Sequence, residues 1–163
     1  MNENWKKTKL GKAIDFYDSQ RIPLSANVRR GMQGKYPYYG ASGIIDSVND
    51  FIFDGRYLLI AEDGENLRSR KTPLSFFAEG KFWVNNHAHI ILGKDGILDS
   101  DFLNYWFKVN DISSYITGAA QPKLSQKNLK EIEINLPPYD IQKEIVAIIS
   151  PYDTLINKNL ERI

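Results

Sequence analysis

Apolar runs in the middle of the chain predict a β-sheet. Residues 57–61 contain no polar interruption, which is typical of a strand covered on both faces, so we expect this strand to be central. The pair Asp54 and Gly55 predicts a tight turn before it, because such pairs readily supply positive φ. Other β-like runs lie at 44–48, 51–53, 74–77, 81–84 and 87–92, with breaks predicted at 79–80 and 85–86. Together they predict a sheet of about five or more strands.

The apolar period changes from two to about 3.6 after this region. Residues 98–110 place their apolar side chains on one side of a predicted helix, with Asp99 or Ser100 as its N-terminal cap. Ser125 is a predicted cap for a short helix through Leu129. Apolar and polar residues then alternate over 132–136, which predicts a half-exposed strand.

The chain is helical in character from Tyr139 onward. Pro151 fits the first position of a helix, so we expect a second helix to begin there with Ser150 as its cap. We therefore divide the chain into a globular domain at 1–137 and a helical segment at 138–163. An apolar stripe on this segment predicts packing on a second copy or a partner subunit. The residues of the stripe are Ile145, Ile149, Tyr152, Ile156, Leu160 and Ile163.

The composition fits one ordinary globular core with an appendage. The chain has 163 residues, of which 42% are hydrophobic and 25% charged, so it is neither disordered nor membrane-like. It contains no cysteine, which excludes a disulfide framework and a thiolate metal site. The net charge of +1 leaves room for a local basic face. The sequence shows neither a signal peptide nor a membrane span, and we expect a cytoplasmic protein.

Basic residues and tyrosines cluster in segments that are too polar to be buried. Residues 21–34 predict a loop that leads into a first contact segment, 29–39, and residues 62–72 predict a second exposed loop. Cations there can meet phosphates, and arginine can form forked hydrogen bonds with guanine. The alternative is a solvated loop whose tyrosines are half-buried at the core edge. The candidate residues are Arg29, Arg30, Lys35, Tyr36 and Tyr38 in the first segment and Arg68, Arg70 and Lys71 in the second.

Two groups of residues raise the question of a metal site. His87 and His89 would point to one face of a strand, but two ligands without a third are insufficient, and we expect hydrogen-bonded histidines in or beside the core. An acidic group could hold a divalent ion, although turns already account for some of its members. This group consists of Asp54, Glu62, Asp63 and Glu65.

The sequence also carries a Pro-Pro-aromatic motif at residues 135–139. Amino-methyltransferases use such a turn to grip a flipped base, but here Leu136 stands where a hydrogen-bonding residue is needed. The chain contains neither a glycine-rich turn for a methyl donor, nor a P-loop, nor a nucleophile elbow. We therefore predict a binding module with no catalytic residue, metal or cofactor.

Five segments of the chain resemble the specificity (S) subunits of type I restriction-modification enzymes, in particular a single target recognition domain. These segments keep the family's order and together cover nearly the whole chain. They are YPYYGASGIID (36–46), FIFDGRYLLIAEDG (51–64), GKFWVNNHAHII (80–91), GAAQPKLS (118–125) and INLPPYDIQKEI (134–145).

The resemblance implies an α+β fold, in which a mixed, twisted β-sheet globule with packed helices precedes a C-terminal helix of the coiled-coil spacer type. It also implies a non-catalytic subunit that reads one half of a bipartite double-stranded DNA target. Its partners would be the methyltransferase (M) subunits, which methylate adenine, and a restriction (R) subunit, which cleaves. We add Gln121 and Lys123, in a third loop at 118–125, to the candidate DNA contacts.

The length of the chain departs from the family pattern of two recognition domains and two long helices. A half-subunit that dimerises and a fragment are both compatible with the sequence. A two-fold homodimer would require inverted, identical half-sites. Two other functions stay open: an assembly module that binds the methyltransferase without reading DNA, and a metal-dependent nuclease that uses Asp54 and Glu62.

Overall fold

The computed structural model describes the backbone of residues 5–160 and the side chains of residues 5–156. Two short 3-10 turns, Asp18–Gln20 and Ser113–Tyr115, accompany the regular elements. In chain order these elements are β1 (Lys6–Lys9), α1 (Leu10–Ala13), β2 (Ile14–Phe16), α2 (Ala26–Gly31), β3 (Gln33–Gly40), β4 (Gly43–Val48), β5 (Phe53–Ala61), α3 (Asn66–Ser69), β6 (Ser75–Val84), β7 (Ala88–Gly93), α4 (Ser100–Val109), α5 (Gln126–Glu131), β8 (Glu133–Leu136) and α6 (Tyr139–Leu160).

Six of the strands form one mixed sheet in the order β2-β7-β5-β6-β3-β4. β5 pairs with both β6 and β7, and its last four residues, 58–61, are fully buried, so the predicted central strand is confirmed. β3 runs parallel to β6, and the other neighbours in this sheet are antiparallel. β1 and β8 pair separately as a two-stranded sheet. The α+β class and the mixed sheet are therefore as predicted.

Gly55 and Gly80 lie where the sequence predicts a turn and a break between strands, and both of these predictions are wrong. We expected a tight turn at Asp54-Gly55 and a break at 79–80, but both glycines lie inside long strands and face each other across the β5–β6 ladder. Their φ angles are 142° and 72°. The ring centroids of Phe53 and Tyr57 are 5.4 Å apart. The Cα atoms of residues four apart on a straight strand are separated by about 13 Å. The glycines therefore bend a continuous two-stranded ribbon over its own apolar face.

Two of the helix caps predicted from the sequence are present. The Asp99 carboxylate accepts a hydrogen bond from the Phe102 N–H (2.9 Å) at the start of α4, and the Ser125 hydroxyl accepts one from Asn128 (3.1 Å) at the start of α5. The predicted loop at 21–34 is wrong in part, because α2 lies within it. Ser25 caps α2 by accepting from the Val28 N–H (3.3 Å), a local signal that the sequence interpretation overlooked.

α6 is one helix of 22 residues that continues through Pro151, so the predicted restart at Ser150 is wrong. A proline withholds a single backbone donor, and here the residues on both sides of it keep helical geometry. Ile145 packs against the core, whereas Tyr152 and Ile156 are exposed. The Leu160 side chain and the whole of Ile163 lie outside the described residues. In the described part of the chain, no helix combines the length and the apolar character that a membrane span requires.

Candidate nucleic-acid interface

The second loop (62–72) and the third loop (118–125) are joined into one surface. A β-bridge pairs Asp63 with Lys123, and the Gly64 N–H donates to the Pro122 carbonyl oxygen (3.0 Å). The guanidinium of Arg68 donates to two carbonyl oxygens at the start of the third loop, at 2.7 and 2.9 Å. Residues that lie 50 or more positions apart in sequence are thus held side by side, and we call this the joined-loop surface.

A buried polar network lies beneath the joined-loop surface. His89, on β7, is 1% exposed; its Nδ1 is 2.6 Å from Asp18 Oδ2, and its Nε2 is 2.7 Å from the Leu124 carbonyl oxygen. Arg21 donates to a carboxylate oxygen of Glu62 at 2.8 Å. Lys123 reaches the other oxygen of Glu62 at 3.2 Å. The network therefore connects β7 and the chain near Asp18 to both loops of the surface.

The charge of Asp18 is stabilised inside this network. Burial by itself raises the pKa of the Asp18 carboxyl, but the hydrogen bond and charge of His89, the Ile90 N–H and the charge of Arg21 outweigh it. The net pKa is lower than the usual value for aspartate. Asp18 is therefore held as a carboxylate by these three partners.

The same network contains a group with metal-ligand character. Ligand atoms of Asp18, Glu62 and His89 all lie within 4.8 Å of one another. Each of these side chains already has a hydrogen-bonding or ionic partner in the network, and Glu62 in particular is shared by Arg21 and Lys123. The geometry is that of an ion-pair network, and no observation favours the nuclease that would use Asp54 and Glu62.

The two histidines have separate partners. The exposed His87 places its Nδ1 2.8 Å from an Asp63 carboxylate oxygen, whereas the buried His89 contacts Asp18. His87 also precedes β7 rather than lying in it, so the predicted common strand face is wrong. His89 is hydrogen-bonded within the core, as expected, whereas His87 is hydrogen-bonded to Asp63 at the surface.

In the first contact segment, Arg29 turns toward the protein. Its Nε donates to Asp46 at 2.7 Å, its Nη1 donates to the Leu24 carbonyl oxygen at 2.7 Å, and its guanidinium lies 4.9 Å from the Tyr38 ring centroid. The hydrogen bond with Asp46 raises the pKa of Arg29, and the same bond lowers the pKa of Asp46. Tyr38 is only 1% exposed and accepts a hydrogen bond from the Leu24 N–H (3.0 Å). Arg29 and Tyr38 therefore fasten α2 to the β3–β4 hairpin.

Two other residues of the first segment, Lys35 and Tyr36, form a partly exposed patch with residues from outside that segment. Lys35 lies over the ring of Tyr36 (5.2 Å), which packs against the ring of Phe51 (5.1 Å). Lys81 places its Nζ over the Phe51 ring, 4.5 Å from the ring centroid. We call these four residues the basic-aromatic patch. Arg30 is exposed nearby on α2 and is hydrogen-bonded to Asn27.

The candidate residues of the second loop fall into two groups. Arg70 has a φ of 49° and donates to the carbonyl oxygens of Asn110 (2.7 Å) and Phe107 at the C-terminal end of α4. Lys71 is exposed, as are Gln121 and Lys123 in the third loop. Arg70 is thus used as a helix cap, while Lys71 and Gln121 face solvent, and Lys123 is exposed but pairs with Glu62.

Comparison with known proteins places this arrangement in a family. Residues 2–163 match the family model of the type I restriction modification DNA specificity domain. The chain belongs to this family.

Individual members support the assignment. The putative type I restriction enzyme specificity subunit S.HindORF215P of Haemophilus influenzae is 33% identical over 154 residues, which cover 94% of this chain. The putative type I specificity subunit S.MpnORF615P of Mycoplasma pneumoniae is 29% identical over 138 residues, or 82% of this chain. The chain spans 38% and 53% of the lengths of these two relatives, respectively.

A solved structure shows the same fold. The S subunit of the type I restriction-modification system from M. genitalium matches with a TM-score of 0.75 and 18% identity, over 96% of this chain and 41% of that one. The described specificity domain thus has the fold of an established S subunit.

The specificity domain has a second exposed surface along α6. Four apolar side chains of this helix are more than half exposed: Ile148, Tyr152, Leu155 and Ile156. On its inner side, a groove of about 570 Å³ separates α6 from α4 and is lined by Trp5, Trp106 and Ile149, among others. Lys108 and Asp153 form an ion pair across it. α6 therefore contacts the globule at one end and offers an uncovered apolar stripe at the other.

Proposed function

We propose that this chain reads one half of a bipartite double-stranded DNA target as part of a type I specificity subunit. The joined-loop surface carries the proposal, because it brings Lys71, Gln121 and Lys123 to solvent on loops fixed by a buried network. Loops held by a rigid scaffold suit base recognition, since a hydrogen bond to a base edge requires accurate placement.

The charges suit the two kinds of DNA contact. Exposed lysines neutralise phosphates and position the duplex, whereas an exposed amide such as that of Gln121 can form paired hydrogen bonds with adenine. The basic-aromatic patch adds two further lysines, Lys35 and Lys81, with their cations beside aromatic rings. We assign phosphate contact to these lysines and base contact to Gln121.

The proposed complex contains other subunits that perform the chemistry. The methyltransferase subunits methylate adenine and the restriction subunit cleaves, so the chain itself is non-catalytic and requires no cofactor. Its α6 stripe docks the methyltransferase subunit or pairs with the helix of a second copy. The division into residues 1–137 for recognition and 138–163 for assembly follows from these roles.

The proposal can be tested by mixing the chain with its cognate methyltransferase subunit and mapping methylated adenines. We expect methylation confined to one sequence. Gln121→Ala should change or relax that sequence while the complex stays intact by size-exclusion chromatography. Lys12→Ala, an exposed change on α1, is the control and should leave the sequence unchanged. An intact complex without sequence-specific methylation would contradict the proposal.

The uncovered α6 stripe also favours a second candidate, an assembly module that binds the methyltransferase without reading DNA. This module would form the complex as well, but the isolated chain would bind all DNA sequences equally weakly. Size-exclusion chromatography with and without the partner, together with DNA binding by the isolated chain, separates the two candidates.

A further inference from the structure

Gln142 is a fully buried polar residue near the start of α6. Its Oε1 accepts a hydrogen bond from the Asp99 N–H at 2.9 Å. Its Nε2 donates to the carbonyl oxygens of Ile97 and Pro137, both at 2.9 Å. A single side-chain amide therefore satisfies three backbone groups that are shielded from water, and leaving such groups unpaired is costly.

The partners of Gln142 belong to the places where two helices begin. Asp99 is the N-cap of α4: its side chain binds the Phe102 N–H while its own N–H is held by Gln142. Pro137 lies in the turn that leads from β8 into α6. Gln142 thus locks the first turn of α6 to the first turn of α4 and to the end of the globule.

We propose that Gln142 is a positioning residue that fixes the direction of α6 relative to the recognition globule, and thereby the number of base pairs between two half-sites. This inference rests on the proposed function. From Gln142 to Leu160, α6 extends roughly 27 Å at 1.5 Å per residue. A change of about 10° in its direction moves the far end by about 5 Å, which is more than one base-pair step of about 3.4 Å. A defined spacing therefore requires a rigid joint.

The direction of α6 can be tested without DNA by measuring the distance between a spin label on α6 and one on the globule. The chain contains no cysteine, so labels attach only where cysteines are introduced. Ser19→Cys on the globule and Thr154→Cys on α6 are exposed sites for a pair of labels. With Gln142 present, we expect one narrow distance distribution by double electron-electron resonance. Gln142→Met should broaden or shift it by several ångströms while circular dichroism shows unchanged helicity.

Lys143→Met is the matched control for this measurement. It makes the same substitution on the solvent side of the same helix turn, and it should reproduce the parent distribution. Gln142→Asn keeps the amide on a shorter side chain. Its distance distribution is measured instead if Gln142→Met does not fold. Folded Gln142 variants with the parent distribution would overturn the proposal.

Methylation of DNA provides the functional readout. With the methyltransferase subunit present, substrates that differ only in the separation of their half-sites should be methylated at one separation by the parent chain and at several by Gln142→Met, with the half-site sequence unchanged. An unchanged preference would overturn the positioning role. Absence of sequence-specific methylation in the parent chain would contradict the proposed function instead, and the label distances would still test the joint.

Discussion

His89 Nδ1 lies 2.6 Å from Asp18 Oδ2, although 71 positions separate the two residues in the sequence. The opposite ring nitrogen of His89 faces the Leu124 carbonyl oxygen at 2.7 Å. Both ring nitrogens of His89 therefore lie within hydrogen-bonding distance of an oxygen atom. Through Leu124 this pair holds the third loop against β7, so the placement of Gln121 and Lys123 depends on a buried hydrogen-bonded contact.

The first prediction concerns the pH dependence of this pair. The folded pKa of Asp18 is lower than its unfolded value, so its contribution to stability is present above about pH 4 and is lost as the pH falls further. Asp18→Asn should lower the free energy of unfolding by about 1–3 kcal/mol at neutral pH, because His89 loses its charged partner. Urea denaturation over a pH series measures the free energy of unfolding of Asp18→Asn and of the parent chain. The difference between the two free energies should shrink below about pH 4. A difference that does not change with pH would contradict this assignment.

The second prediction concerns the bend of the β5–β6 ribbon. Gly80→Ala should lower the free energy of unfolding by about 1–2 kcal/mol, because a residue with a Cβ is strained at a φ of 72°. Steric contact does not contribute, since no atom lies within 4 Å of the added methyl group. Gly80→Asn should cost less, since asparagine tolerates this conformation better. Gly31→Ala is the control, because its site is equally open and lacks a positive φ. Urea denaturation of the three variants measures the differences, and equal costs for Gly80→Ala and Gly31→Ala would exclude backbone strain as the cause.

Elements determined by nearby residues could be predicted from the sequence. The apolar run of β5, the Asp99 cap of α4 and the Ser125 cap of α5 each depend on a few consecutive positions. Gly55 and Gly80 were misinterpreted because their role depends on what lies across the ladder. A glycine with positive φ suits a turn and a bend equally well, and only the pairing partner distinguishes them.

The positions of the charged residues in the candidate site could be predicted from the sequence, but the direction in which their side chains point could not. Composition and spacing identified Arg29 and Arg70, yet both guanidinium groups bind acceptors of their own protein. Lys81 and Phe51 carried no local signal, because Phe51 meets Tyr36 only when β3 pairs with β4, and Lys81 meets Phe51 only when β5 pairs with β6. Whether a surface cation is directed toward a partner or toward its own fold is a long-range property that the sequence pattern does not contain.

The third prediction concerns Arg70. Arg70→Ala should lower the free energy of unfolding by about 1–3 kcal/mol, because the end of α4 loses a hydrogen-bonding cap, while the backbone strain at a φ of 49° is the same for arginine and alanine. Arg70→Gly removes the same cap without the backbone strain and should lose less. Lys71→Ala, at the exposed neighbouring position, is the control and should change stability little. Thermal denaturation of the three variants measures this order, and equal stability of Arg70→Ala and the parent chain would contradict the capping role.

The fourth prediction concerns the basic-aromatic patch. Lys81→Ala should weaken binding to DNA of every sequence by a similar factor, because a phosphate contact carries no base information. The slope of the logarithm of affinity against the logarithm of salt concentration should fall by about one. Lys6→Ala, which removes an exposed lysine from β1 in the smaller sheet, is the matched control and should leave the slope unchanged. Fluorescence anisotropy with labelled duplexes over a salt series measures both quantities. A loss of affinity for one sequence only would contradict a phosphate contact and would mean that Lys81 contacts a base edge.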